Sequence, residues 1–244
     1  MNDFFDLPTL IFLAIAIFVL LRLRSVLGTR TGNEKPASKR IVDTDKKAKK
    51  PIANNDDNIV TLHPENDPSE ADIFTQKRML KLDAQIEKFT NGDKKLAQGL
   101  KDIAKLDDGF MPKDFLEGAK SAYEMIVTSF ALGDKKTLKN LLAKDVYDGF
   151  VSAISQREAD GYKVDFTFVG LPKVEFGGAE IEKRTSLITI NFLAEVVSAT
   201  RDSEGNLVEG NADQIASIAD SWTFARNTAS NDPNWKLVTT DQLD

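Results

Sequence analysis

Asp220 is the residue whose surroundings in the sequence most clearly allow chemistry. It lies in the stretch "DQIASIADSWTFAR", whose alternating residues would share one face of a strand: Ala216, Ile218, Asp220, Trp222 and Phe224. The other members of this row are apolar. A carboxyl group in apolar surroundings has a raised pKa and can act as a general acid or base. Asp220 is therefore the candidate for a catalytic group, if the chain has one.

Two structural interpretations compete with that chemistry. Asp220 could form an ion pair with an arginine, for which the sequence offers Arg184, Arg201 and Arg226. A bulge could also turn its side chain outward. We favour these interpretations, because one aspartate without a second catalytic group is weak evidence for catalysis.

Other residue types that perform catalysis or bind metals are scarce in this chain. The sequence has no cysteine and one histidine, His63. A chain without cysteine has no disulfide, no thiolate nucleophile and no Cys-based zinc or iron–sulfur site. His63 lies in the polar stretch "NDDNIVTLHPENDP", so a Ser-His-Asp relay or a multi-histidine metal site would have to be built on a linker. We therefore expect no enzyme, no metal site and no cofactor.

Charge divides the chain into a basic arm and an acidic body. Residues 22–50 contain ten Lys and Arg against three Asp and Glu, whereas residues 51–244 contain 22 Lys and Arg against 33 Asp and Glu. An acidic body repels a phosphate backbone. We therefore expect no nucleic-acid partner.

The first segment, residues 1–28, is predicted to be a transmembrane anchor. Its apolar run is unbroken from Leu10 to Leu21 and mostly apolar from Phe4 to Leu23, and about 20 helical residues match a bilayer's hydrocarbon core. Acidic residues before the run disfavour a cleaved signal peptide, and the lack of a polar face disfavours a soluble helix. Positive residues after the run place the rest of the chain in the cytoplasm. The expected membrane-surface residues are Arg22, Arg24 and Arg30.

Residues 29–68 are predicted to be a disordered basic and polar linker. Few of these residues are large and apolar, and such a composition cannot offset the entropy lost on folding. The basic part could also adhere to anionic lipid headgroups. The sequence leaves open whether the linker binds headgroups or is only a tether.

Two amphipathic helices are predicted in residues 69–108. The first follows Ser69, which with Asp72 is close to a capping box, and the second follows the break at Asn91 and Gly92. Most apolar stripes pack on their own domain, but adaptor proteins also use such helices to bind a partner or a membrane surface. The predicted partner-binding residues of the first helix are Ile73, Phe74, Met79, Leu80, Ile86 and Phe89.

Residues 109–244 are predicted to form an α+β domain. Apolar residues first recur with helical spacing, with helix ends expected at Gly133 and Gly161. They then alternate in "YKVDFTFVG", "KVEFGGAEIE", "SLITINFLAEVV", "DQIASIADSWTFAR" and "WKLVTT", with a bulge expected at Gly177 and Gly178 and a hairpin turn in "RDSEGNLVEGN". Helices followed by antiparallel strands predict helices packed on the apolar face of one sheet.

Four stretches of this domain resemble a known family. They are "GAKSAYE" at residues 118–124, "GDKKTLKNLL" at residues 133–142, and the pair "WTF" and "DPNW" at residues 222–224 and 232–235. From about residue 109 to residue 240 the chain is similar to the import-motor adaptor family of the mitochondrial inner membrane, the translocase subunit forty-four. It is most similar to the family's alphaproteobacterial relatives, the TimA group.

The resemblance implies a cystatin-like or nuclear-transport-factor-like cone at the bacterial inner membrane. It also implies a non-enzymatic scaffold that binds anionic lipid and a protein partner, such as a chaperone or an envelope or translocation component. The segment with which the mitochondrial member binds its chaperone and channel has no match here. The alternative is a protein that binds a lipid or another apolar ligand in the hollow of the cone. The candidate residues of that pocket are Trp222, Phe224, Trp235, Asp220, Phe192 and Phe168.

Overall fold

The structure, a computed structural model, describes residues 70–230 and 232–243. Helices come first and strands follow: α1 (Glu70–Thr90), α2 (Lys94–Leu106), α3 (Pro112–Leu132), α4 (Lys135–Leu141), α5 (Lys144–Ala159), β1 (Lys163–Glu182), β2 (Thr185–Arg201), β3 (Leu207–Asn227) and β4 (Lys236–Gln242). This order confirms the α+β class. The predicted anchor, the linker, His63 and the arginines Arg22, Arg24 and Arg30 lie outside the described residues. None of the helices in residues 70–230 and 232–243 combines the length and apolarity needed to cross a membrane.

The four strands form one antiparallel sheet in the order β1-β2-β3-β4. The two segments predicted as separate strands before residue 183 are one strand, β1. Its pairing with β2 shifts register between Phe168 and Gly170, between Gly170 and Lys173, and between Phe176 and Gly178. The last shift confirms the predicted bulge. Such shifts absorb extra residues and bend the strand without ending the pairing, which is why the two predicted stretches are continuous.

Local signals fix where the helices begin and end. The Asp93 carboxylate accepts hydrogen bonds from the backbone N–H groups of Lys95 and Leu96, and so caps α2. Asp134 caps α4 in the same way. Helix α3 begins at Pro112 and ends at Gly133, whose φ of 74° lies in the left-handed region. Glycine adopts this conformation without steric cost, so the helix end predicted there is confirmed.

The core lies between the helices and one face of the sheet. Helix α3 contributes a stripe with helical spacing, formed by Leu116, Ala119, Tyr123 and Ile126. Strand β2 contributes every second residue, namely Ile188, Ile190, Phe192 and Ala194. Helix α2 belongs to the same core through Leu96, Leu100 and Ile103. The boundary expected between residues 108 and 109 therefore lies within one continuous core.

Gly99 is the point of closest approach between α2 and the sheet. A Cβ atom at this position would lie 2.0 Å from the carbonyl oxygen of Ala179 in β1. Backbone atoms cannot yield as a flexible side chain can. Any larger residue at position 99 would therefore push α2 away from the sheet.

We predict that Gly99→Ala lowers the free energy of unfolding by about 3 kcal/mol, since overpacking of this kind costs about 1–3 kcal/mol and here the clash is with backbone. The matched control is Gly118→Ala in the interior of α3, where a Cβ atom would meet nothing within 4 Å. This control should raise the stability by about 0.5–1 kcal/mol, because alanine favours the helix. Urea denaturation of both variants measures the difference, and equal effects would contradict the proposed packing of α2.

Candidate functional site

The centre of the interior is the side chain of Tyr123 on α3. Its ring packs against those of Phe192 and Trp222 at centroid distances of 4.5 Å and 4.4 Å, and these two rings lie 5.8 Å from each other. Phe168 of β1 lies at 6.4 Å from the same ring. Aromatic pairs at these distances add to the stability that comes from buried area alone. Tyr123 therefore joins α3 to three strands of the sheet.

Asp220 is the polar partner of Tyr123. In the register of β2 and β3, Asp220 lies opposite Phe192 and Trp222 lies opposite Ile190. The Tyr123 hydroxyl donates a hydrogen bond of 2.6 Å to the Oδ2 atom of Asp220. The side chain thus faces the core, and the outward orientation considered from the sequence does not occur.

The ion pair considered for Asp220 is also absent from the described residues. Arg226 instead forms a largely buried ion pair with Asp107, which follows α2. Arg201 pairs with Asp165 across β1 and β2 at 3.2 Å. Arg201 and Arg226 thus serve other contacts, and among the described residues the Asp220 carboxylate has a hydroxyl partner and no ion pair.

The surroundings of this pair change the protonation of both groups. Burial raises the pKa of Asp220 from 3.8 to about 6, and the hydrogen bond from Tyr123 partly opposes that shift. Burial, together with the nearby Asp220 charge, raises the pKa of the Tyr123 hydroxyl well above its ordinary value, so it stays protonated. The pair can therefore bind or release one proton near pH 6.

A second aromatic group surrounds Phe115 in the first turn of α3. Trp235 packs on its ring edge-to-face at 4.8 Å, and Phe224 does so at 6.1 Å. Trp235 lies one residue before β4, so it is positioned by the turn rather than by the sheet. Phe224 also contacts Trp222 at 6.5 Å and so connects the two groups.

The structure brings the six predicted pocket residues into one continuous region, but as a packed cluster. Trp222, Phe224 and Phe192 are buried, with 4%, 3% and 2% of their surfaces exposed. The sequence analysis missed Tyr123 and Phe115 as members of this region. A signal for Tyr123 was present, because a buried hydroxyl in an apolar helix stripe needs a polar partner and Asp220 is the polar residue in the facing strand row.

Two clefts lie beside α2 and away from the aromatic cluster. One, of about 400 Å³, runs between α1 and α2 and is lined by Asp83, Ile86, Thr90, Ala97 and Lys101 among others. The other, of about 220 Å³, lies between the start of α2 and the bulge of β1. Among residues 70–230 and 232–243, no group of three or more His, Asp or Glu side chains is placed to hold a metal ion.

Helix α1 carries two different apolar surfaces. In its second half, Ile86 is 2% exposed and Phe89 packs against the core. These two residues therefore hold α1 on its own domain. In its first half, large apolar side chains are exposed instead: Ile73, Phe74, Met79 and Leu80.

The exposed residues share a face of α1 with basic residues. Ile73 and Leu80 are seven residues apart, so they project from the same side of the helix, and Lys77 lies between them. Lys81 is also exposed. We name this surface, formed by Ile73, Phe74, Lys77, Leu80 and Lys81, the outer face of α1. It combines apolar and positively charged groups that the core does not use.

Comparison with known proteins adds a family to this geometry. A family model described as the Tim44-like domain matches residues 96–242. The chain is 20% identical over 173 residues to the probable mitochondrial import inner membrane translocase subunit tin-44 of Caenorhabditis elegans, a match that covers 69% of this chain and 41% of the relative. It is 20% identical over 146 residues to the mitochondrial import inner membrane translocase subunit TIM44 of Homo sapiens, covering 59% of this chain and 32% of the relative.

These matches extend over less than half of each relative's length. Among solved structures, the chain is similar to the intermembrane space region of the chloroplast protein ARC6. That similarity covers 52% of this chain and 95% of the other, with 12% identity and a TM-score of 0.39.

The pKa of Asp220 predicts how stability depends on pH. Because the pKa is about 6 in the folded state and 3.8 ordinarily, the folded protein holds this proton more tightly than the unfolded chain does. Ionisation of Asp220 therefore costs stability as the pH rises from about 4 to about 6, and above pH 6 the whole cost remains. The difference between the two pKa values corresponds to about 3 kcal/mol.

We predict that Asp220→Asn is at least as stable as the unchanged protein at pH 8, by up to about 3 kcal/mol, because the amide oxygen accepts the Tyr123 hydrogen bond without a buried charge. The advantage should shrink as the pH falls towards 4. Urea denaturation between pH 4 and pH 8 measures this trend. The prediction would be contradicted if the stability of Asp220→Asn minus that of the unchanged protein were smaller at pH 8 than at pH 4.

Proposed function

The chain belongs to the family of the Tim44-like domain, and from this we propose that it is a non-enzymatic adaptor for protein translocation at a membrane. The named relatives are subunits of a mitochondrial inner-membrane import translocase. The family match, residues 96–242, covers the domain from α2 to β4 and does not include α1. Our proposal places that domain on the cytoplasmic side of a bacterial inner membrane, held there by the N-terminal anchor predicted from residues 1–28.

The observation that carries the proposal is the outer face of α1. Phe74 is 73% exposed and Leu80 is 67% exposed, although the same helix buries Ile86 in the core. Exposed apolar side chains grouped on one helix face, with charged residues around them, are typical of a surface that binds another molecule. A helix held at one end by its domain presents such a surface at a fixed position.

The charges on this surface indicate what it binds. Lys77 and Lys81 are exposed beside the apolar residues, and basic amphipathic helices bind anionic headgroups through their lysines while their apolar side chains enter the interface. We propose that the outer face of α1 rests on anionic lipid and there meets a translocation component. The family and the proposed anchor both support a site next to the bilayer.

The pocket alternative has less support from the geometry. A lipid in the interior would have to separate Tyr123 from Phe192 and Trp222, whose rings lie 4.5 Å and 4.4 Å from it. It would also displace the hydrogen bond to Asp220. The two clefts beside α2 are lined by mixed polar and apolar residues, which suits an apolar ligand less well.

We predict that a photo-crosslinking amino acid at position 80, in cells that produce the full chain, forms light-dependent adducts with membrane-embedded translocation proteins or with lipid. The same amino acid at Lys139, an exposed residue of α4, is the matched control and should give about fivefold less product. Adding Ile73→Ser and Phe74→Ser should lower the yield at position 80, because these changes remove apolar contact and leave the core unchanged.

Equal adduct yields at positions 80 and 139 would contradict the adaptor surface. Mass spectrometry of the adducts identifies the component. Deletion of residues 69–106 is unsuitable for this purpose, because it also removes Leu96, Leu100 and Ile103 from the core and would unfold the domain.

A further inference from the structure

Strand β3 is much longer than the strand beside it. Strand β4 pairs with β3 from Asp220 to Ala225, and the N–H of Leu243 donates to the carbonyl of Ala219. Leu207, residues 209–211 and residues 216–218 of β3 pair with β2 on one side, whereas residues 212–215 form a bulge at the register shift between Val196 and Ser198. No strand of residues 70–230 and 232–243 lies on the other side of this stretch. We name this stretch, residues 207–218, the open edge of β3.

The backbone of the open edge is accessible. Residues 211–217 are all exposed. Because the Ala219 carbonyl points towards β4, the alternation of an antiparallel strand directs the N–H and C=O of Ser217 to the same outer side. Unpaired strand edges of this kind are templates to which an extended peptide adds as a further strand.

The side chains of the open edge provide apolar contacts at both of its ends. Leu207 and Val208 are exposed near the hairpin turn, and Ile215 is exposed near the start of the β3 segment that the helices cover. A strand placed on this edge would cover part of these side chains. The backbone would supply affinity and these side chains would supply contact area.

Charge distinguishes which strand fits. Residues 202–219 contain four acidic side chains, Asp202, Glu204, Glu209 and Asp213, and no lysine or arginine. Acidic residues on an edge oppose pairing with a second copy of the same edge, because like charges then face each other. They attract a peptide whose lysines or arginines can lie opposite them.

We propose that the open edge of β3 binds an extended basic peptide segment as an added strand, in line with β4. The peptide's backbone pairs with the outward N–H and C=O groups of β3 around Ser217. Its lysines or arginines lie near Asp213 and Glu209, where the Asp213 N–H donates to the Asn211 side chain within the bulge and is not used for pairing. This site is separate from the outer face of α1, and the proposal does not depend on the proposed function.

The test measures binding of fluorescein-labelled peptides to the full chain in detergent micelles by fluorescence anisotropy. The first probe is a short synthetic peptide in which lysine alternates with threonine and valine. The second has the same sequence with alternate backbone nitrogens methylated, which removes the donors on one edge and keeps the charge. The third replaces each lysine with glutamate. We expect saturable binding of the first probe and at least about tenfold weaker binding of the other two.

Two protein variants locate the site. Ser217→Pro removes an outward N–H group and leaves the ladder with β2 intact, since prolines are tolerated at strand edges. Ser217→Pro should weaken binding of the first probe about tenfold. A proline substitution elsewhere, such as Ser121→Pro, cannot serve as the control, because it would break α3. The matched control is Ser217→Ala, which keeps the backbone donor and should bind as the unchanged protein does. Circular dichroism confirms that each variant is folded.

Three outcomes would overturn the proposal. Equal binding of the methylated and unmethylated peptides would show attraction between charges alone. Equal binding by Ser217→Pro and Ser217→Ala would place the peptide elsewhere. Dimerisation of the full chain that Ser217→Pro abolishes, seen by analytical ultracentrifugation, would assign the edge to a second copy.

Discussion

The hydrogen bond between Tyr123 and Asp220 determines how α3 lies on the sheet. It joins a helix stripe that is otherwise apolar to a strand row that is otherwise apolar, inside a cluster of aromatic rings. A shift of α3 by one turn would leave the hydroxyl and the carboxylate buried without partners, at a cost of about 1–3 kcal/mol for each group or more for a charged one. The contact therefore selects one arrangement among the many that apolar packing alone would allow.

That arrangement has consequences for function. With α3 fixed, the rings of Phe192 and Trp222 occupy the space that a ligand in the interior would need. Helix α1 meets the same core with Ile86 and Phe89, which leaves its first half outside. The packing thus separates a filled interior from an exposed apolar and basic helix surface. The proposed adaptor role places binding on that surface.

Much of this fold could be predicted from the sequence because its signals are local. The left-handed helix end at Gly133, the capping of α2 after the break at Asn91 and the bulge near Gly177 each depend on residues close together in the chain. The pairing of Tyr123 with Asp220 joins positions 97 residues apart, and the sequence indicates it only indirectly, through one polar group in each of two apolar rows.

The structure also differs from the sequence-based prediction in α1, again because contacts between residues distant in the chain decide which side chains are buried. Helical spacing in α1 is the same in its buried and exposed halves, so periodicity could not separate Ile86 from Leu80. The most direct test of the account is hydrogen–deuterium exchange of the full chain in vesicles of anionic lipid and of neutral lipid. Slower exchange at residues 73–81 in the anionic vesicles, with residues 220–224 unchanged, is the result we predict. Unchanged exchange at residues 73–81 with slower exchange at residues 220–224 would contradict the account and favour a ligand in the interior.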